Sequence, residues 1–147
     1  MISEADLVTA LHQGACKATK DYLAWSDGTF LNECAGERYM VACMAQTVMK
    51  TSSPPPYLCL EYCLSALTKD WDKRLPDCLK GSGRFDMTLL NKDKQLKFVI
   101  EAKCSTAWAD NYIDDITRLI HICRKLRKTS TDGALQACIF IASVYSY

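Results

Sequence analysis

Asp86 in RFDMTLL (84–90), with Glu101 and Lys103 in LKFVIEAK (96–103), are the residues whose types and spacing could do chemistry. Side chains alternate along a strand with period two. Lys97, Val99, Glu101 and Lys103 therefore face one way, and Leu96, Phe98, Ile100 and Ala102 the other. Glu101 and Lys103 are same-face neighbours, ~6.5–7 Å apart along the strand. In the first run Arg84, Asp86, Thr88 and Leu90 share a face. If the polar NKDKQ between the runs folds about Asp93-Lys94, Asp86 falls opposite Glu101, with Cβ atoms ~4.5–5.5 Å apart. Two such carboxylates repel unless a cation sits between them or one takes a proton. Hard oxygen ligands suit magnesium or manganese. A one-residue slip in register would turn Asp86 to the opposite face and abolish the site.

Glu37 is a third candidate. At ~100° per residue it lies along the stripe of Met40, Val41, Met44 and Val48, and a carboxylate on a buried helix face is costly without a partner. A metal held by Asp86 and Glu101 would be one; Arg38 points away. Glu33, a turn earlier, is a weaker candidate of the same kind. The residues leave plainer readings open. Asp86, Glu101 and Lys103 can form a cross-strand salt-bridge cluster, and backbone or water can satisfy Glu37. The basic RKLRK run, with Arg124, Lys125, Arg127 and Lys128, could grip phosphate or be a solvated helix end. His12 and His121 have no partner visible in the sequence. Trp25, Trp71 and Trp108 read as packing residues.

These side chains need elements to hold them. Ser3 and Asp6 have the form of a capping box, and Leu7, Leu11, Ala15, Ala18, Tyr22 and Trp25 recur at helical spacing, so residues 4–24 should be an amphipathic helix ended by Ser26-Asp27-Gly28. A second helix is expected from about Glu33 to Lys50, capped by Asn32. After Pro54-Pro55-Pro56, Tyr57–Cys63 is read as a strand, although Ser53-Pro54 could also open a helix. Residues 65–80 look like a helical or irregular insertion. The hairpin comes next, followed by a helix from about Ala109 to Lys128 with the stripe Tyr112, Ile116, Leu119, Cys123 and Leu126, flanked by Ile113 and Ile120. ALQACIFIASVYSY closes as a nearly continuous apolar strand of the kind buried inside a sheet.

The 147 residues suit one domain, and a net charge of +1 creates no strong overall field towards nucleic acid, so such contact needs a local patch. Nine cysteines without CxxC spacing, most in apolar runs, read as reduced and buried in a cytoplasmic protein. No run approaches the ~20 apolar residues of a membrane span.

GRFDMTLL, a short polar turn and FVIEAK together resemble the core of the PD-(D/E)XK nuclease superfamily, which has an Asp on one strand, Glu-x-Lys on the next and often a helical Glu upstream. Asp86, Glu101, Lys103 and Glu37 match in that order; Phe85 stands where many relatives have proline. The resemblance implies an α/β, restriction-endonuclease-like αβββαβ core of mixed sheet and flanking helices, mapping onto 33–50, 57–63, 84–90, 96–103, 109–128 and 135–145, with an extra N-terminal helix. The chain would be a minimal core or a fragment. The implied activity is metal-dependent hydrolysis of phosphodiester bonds in nucleic acid, with DNA the expected substrate. Asp86, Glu101, the Ala102 carbonyl and Glu37 would bind magnesium or manganese, and Lys103 would serve catalysis. A non-catalytic binding or assembly module of the same fold is the alternative, and a homodimer or larger complex is compatible with either.

Overall fold

Ser3 starts the first helix as its sequence implies. Its backbone is extended, its hydroxyl accepts from the Asp6 N–H at 3.1 Å, and the Asp6 carboxylate accepts from that hydroxyl at 2.6 Å. The computed structural model describes residues 2–27, 36–68, 79, 83–104, 110–129 and 135–143. Its elements run α1 (Glu4–Trp25), α2 (Glu37–Thr51), β1 (Tyr57–Cys63), α3 (Leu64–Thr68), β2 (Arg84–Leu90), β3 (Leu96–Lys103), α4 (Asp110–Thr129) and β4 (Ala137–Ala142). Helix α1 stops at Ser26, whose N–H donates to the Tyr22 carbonyl at 2.9 Å, and Asp27 turns the chain with a φ of 54°. Helix α2 begins at Glu37, behind Gly36. The expected cap Asn32 and Glu33 lie outside the described residues, as do most of the 65–80 insertion, Trp71 and Trp108.

The four strands form a mixed sheet in the order β1-β2-β3-β4, which makes the fold α/β. Strands β2 and β3 are antiparallel, with Met87 opposite Ile100, Thr88 opposite Val99 and Leu89 opposite Phe98. The loop between them is held by Asn91, whose side-chain oxygen accepts from the N–H groups of Asp93 and Gln95 at 3.0 and 2.8 Å. Lys94 takes a φ of 59° there. At the loop end the register shifts, and Leu90 pairs with Leu96. This bulge interrupts the alternation expected for Leu96, which packs with the cluster containing Val99. Strand β4 corrects a second expectation. It lies at an end of the sheet order rather than inside it, and most of its residues are only half-buried.

By its internal contacts the chain divides into two compact units. The first comprises residues 1–58, 102–107 and 141–147, and its core is the seam between α1 and α2. Leu7, Ala10, Leu11 and Ala18 are buried on one helix; Met40, Met44 and Val48 are buried on the other. Gly14 permits the approach. A Cβ there would collide with the Met44 Cα and stand 2.9 Å from the Cys43 carbonyl oxygen. Tyr39 and Lys17 both donate to the Asp21 carboxylate, holding it below the usual carboxylate range, and Tyr39 also packs on the exposed Trp25.

The second unit comprises residues 59–101 and 108–140. Leu64, Leu79, Phe85, Val99, Leu119, Ile122 and Leu135 form its core, with Cys123, Leu126 and Phe140 packed around them. Each fully buried aliphatic or aromatic side chain of this kind contributes ~1.5–3 kcal/mol. Of the α4 stripe, Leu119, Cys123 and Leu126 face this core as expected and Ile122 joins them, whereas Ile116 and the flanking Ile113 and Ile120 are exposed.

Among the described cysteines none forms a disulfide. Cys43 and Cys104 are buried as expected, but Cys16 and Cys63 are exposed, each standing on the outer side of its element. No helix of the described residues is long and apolar enough to cross a membrane.

Candidate functional site

The β2–β3 ladder positions the carboxylates. The observed pairing reaches Met87 opposite Ile100, the residues next to Asp86 and Glu101. Both hairpin segments are apolar enough to be buried, and Asn91 fixes the turn, so this register has a local origin in the sequence. Asp86 is half-buried, and Glu101 is 3% exposed. Strand β2 does not keep strict alternation throughout. Phe85 joins the cluster of Val99, although alternation from Thr88, the partner of Val99, would turn it to the other face.

Glu101 has a partner that the sequence reading missed. Nη2 of Arg118, on α4, lies 2.8 Å from Glu101 Oε1 and 2.6 Å from Asp115 Oδ1. The guanidinium also stands over the Phe85 ring, 5.5 Å from its centroid. A signal for it was present. An arginine beside two inward-facing apolar residues needs a carboxylate, by the same reasoning that singled out Glu37.

In the first unit Lys103 and Glu37 meet. Lys103 Nζ lies 3.7 Å from Glu37 Oε1, with the two side chains 22% and 37% exposed. Glu37 thus sits on the expected stripe, at its half-open end, and its observed partner is an ammonium. Nearby, Cys104 donates its S–H to Met40 Sδ at 3.5 Å. Burial, reinforced by the charge of Glu37, pushes the Cys104 thiol up to about 11. Ala102 is fully buried.

The basic residues of α4 spread around its last turns. Arg124 is exposed and Lys125 half-buried; Arg127 and Lys128 continue the helix, but their side chains lie outside the described residues. His12 approaches Cys16, with Nε2 and Sγ 3.6 Å apart along α1.

Arg118 thus bridges two carboxylates, those of Glu101 and Asp115. Among the described residues no group of three or more His, Cys, Asp or Glu is placed to hold a metal ion. The hairpin carries two carboxylates, Asp86 and Glu101, and the Arg118 guanidinium contacts Glu101. No family model, no curated protein and no solved structure matches this chain.

Proposed function

We propose that this chain is a divalent-metal-dependent nuclease that hydrolyses phosphodiester bonds in nucleic acid, with DNA as the substrate. The observation that supports the reading is the antiparallel β2–β3 pairing with Met87 opposite Ile100, which would set Asp86 near Glu101, two residues before Lys103, if the ladder continued by one residue. The element order after α1 is helix, three strands, helix and strand once the five-residue α3 is set aside, in keeping with a restriction-endonuclease-like αβββαβ core.

The residues fit magnesium or manganese in charge and in donor type. Magnesium is commonly held through one or two carboxylates, with water and substrate oxygens completing its shell, so two carboxylates suffice. As the resemblance implies, Asp86 and Glu101 would hold the ion, with the Ala102 carbonyl and Glu37 as further oxygen donors. When bound, the ion supplies Lewis-acid polarisation of the phosphate and acidifies a water. The protein's own groups do the rest. Lys103 orients the attacking water by hydrogen bonding and offsets charge developing on the phosphoryl oxygens. Arg118 holds the Glu101 side chain in one rotamer. The basic end of α4, with Arg124, Lys125, Arg127 and Lys128, supplies electrostatic attraction for the nucleic-acid backbone.

Calorimetric titration of magnesium and of manganese into the wild type and into Asp86→Asn tests the reading, run beside cleavage assays on single- and double-stranded DNA and RNA. The wild type should bind the ion and cleave; Asp86→Asn should lose both. A wild type that binds no divalent ion and cuts no substrate would end it.

A specific observation favours a second reading, a non-catalytic module of the same architecture. The Arg118 guanidinium occupies the Glu101 carboxylate at 2.8 Å, as a purely structural ion pair would. In that case Arg118 and Glu101 serve stability alone, and the module acts through a bound partner.

A further inference from the structure

Helix α4 carries two apolar faces, and the core accounts for only one. Leu119 and Ile122 are buried in the second unit's core, with Cys123 and Leu126 packed against it. Ile113, Ile116 and Ile120 point elsewhere and are 56%, 38% and 43% exposed. Their i, i+3, i+7 spacing draws a second stripe along about two turns of a 20-residue helix. Three β-branched side chains in one row on a helix surface form a seam suited to another helix.

The charge pattern of α4 says which helix. Beside Asp115, which Arg118 holds within the protomer, its sequence begins with Asp110 and Asp114 and ends with Arg124, Lys125, Arg127 and Lys128. Asp114 and Arg124 are both exposed. A parallel copy would set acid beside acid and base beside base. An antiparallel copy sets the acidic end of each helix beside the basic end of the other, and opposes the two macrodipoles favourably. We propose that Ile113, Ile116 and Ile120 form the centre of a two-fold interface in which α4 packs antiparallel against α4 of a second copy of this chain. The interface is isologous. Ile116 lies near the axis, and Ile113 of one protomer meets Ile120 of its partner. The inference stands independently of any nuclease activity.

Sedimentation equilibrium over a concentration series, at low and high salt, reads the association directly. The wild type should approach twice the chain mass as concentration rises, more weakly at high salt because the end-to-end charges are screened. Ile116→Asp should remain monomeric throughout while keeping the wild-type circular dichroism, since the side chain it replaces is already exposed. Orientation is read with the double variant Ile113→Cys, Ile120→Cys, oxidised by a copper–phenanthroline catalyst with dissolved oxygen as the electron acceptor. Each new disulfide forms from two thiols, which give up two protons and two electrons to oxygen. Peptide mapping should find position 113 of one protomer joined to position 120 of its partner. A wild type that stays monomeric, a dimer indifferent to Ile116→Asp, or cross-links joining only like positions would each overturn the proposal.

Discussion

Arg118 Nη2 lies 2.8 Å from Glu101 Oε1, and the two side chains are 17% and 4% exposed. A buried pair of this kind is strongly asymmetric towards mutation. Removing the guanidinium by Arg118→Met takes its cation from a carboxylate that is 4% exposed and should cost ~3–5 kcal/mol. Glu101→Gln leaves Arg118 with Asp115 at 2.6 Å, so the loss should be smaller. Urea unfolding of the two variants measures the order. Equal or negligible losses would mean that water reaches Glu101 and that the pair does not organise the hairpin.

Lys103 separates catalysis from stability. Its contact with Glu37 is 3.7 Å long and partly exposed, so Lys103→Ala should change unfolding free energy by only ~0–1 kcal/mol. Under the nuclease reading the same variant should retain metal affinity and lose cleavage, because an ammonium cannot be a ligand but can hold water and stabilise charge. Titration and cleavage measured on one preparation decide it. Full cleavage by Lys103→Ala would remove this residue from the chemistry.

The elements were more legible than the partners. Tyr57–Cys63, Arg84–Leu90 and Leu96–Lys103 follow from runs of apolar residues bounded by proline or polar turns, and Ser3 from local capping chemistry. Those signals are short-range. The bulge beside Leu90 was not visible, because it depends on how the Asn91 loop closes rather than on hydrophobic pattern. Arg118 could be suspected of needing a carboxylate, but the pattern could not say that the carboxylate is Glu101, which lies 17 residues away in another element. The outward turn of Ile113, Ile116 and Ile120 was missed for a related reason. The apolar residues of α4 spread over about half of its circumference, and periodicity cannot say which part of that arc meets the core. Strand β4 misled through composition, because an apolar run marks burial or an edge that something else covers.

Gly14 should tolerate no side chain. A Cβ there meets Met44 and the Cys43 carbonyl, all backbone atoms of α2, so the two helices must separate to admit it. Gly14→Ala raises helix propensity in α1 by ~1 kcal/mol but overpacks the seam, which costs ~1–3 kcal/mol. The net effect should be destabilising, read as a lower Tm. A higher Tm would show that the α1–α2 seam yields easily.

Cys104 should make stability fall in alkali. Its buried thiol is raised from an ordinary value of 9.0 to about 11, whereas in the unfolded chain it titrates at the ordinary value. Between those values the unfolded state has lost its proton and the folded state has kept it, so the unfolded state is favoured progressively as pH rises from 9 to about 11. Below pH 9 both states are protonated and this contribution is constant. Other groups also titrate in that range, so the informative quantity is the difference between the wild type and Cys104→Ala. The wild type should lose more stability than the variant between pH 8 and pH 10.5, measured by chemical unfolding. Thiol alkylation gives an independent readout at neutral pH, where exposed Cys16 and Cys63 should react quickly and Cys104 slowly. Parallel pH profiles for the two proteins, together with rapid alkylation of Cys104, would show that this thiol is open to solvent and that its contact with Met40 does not shield it.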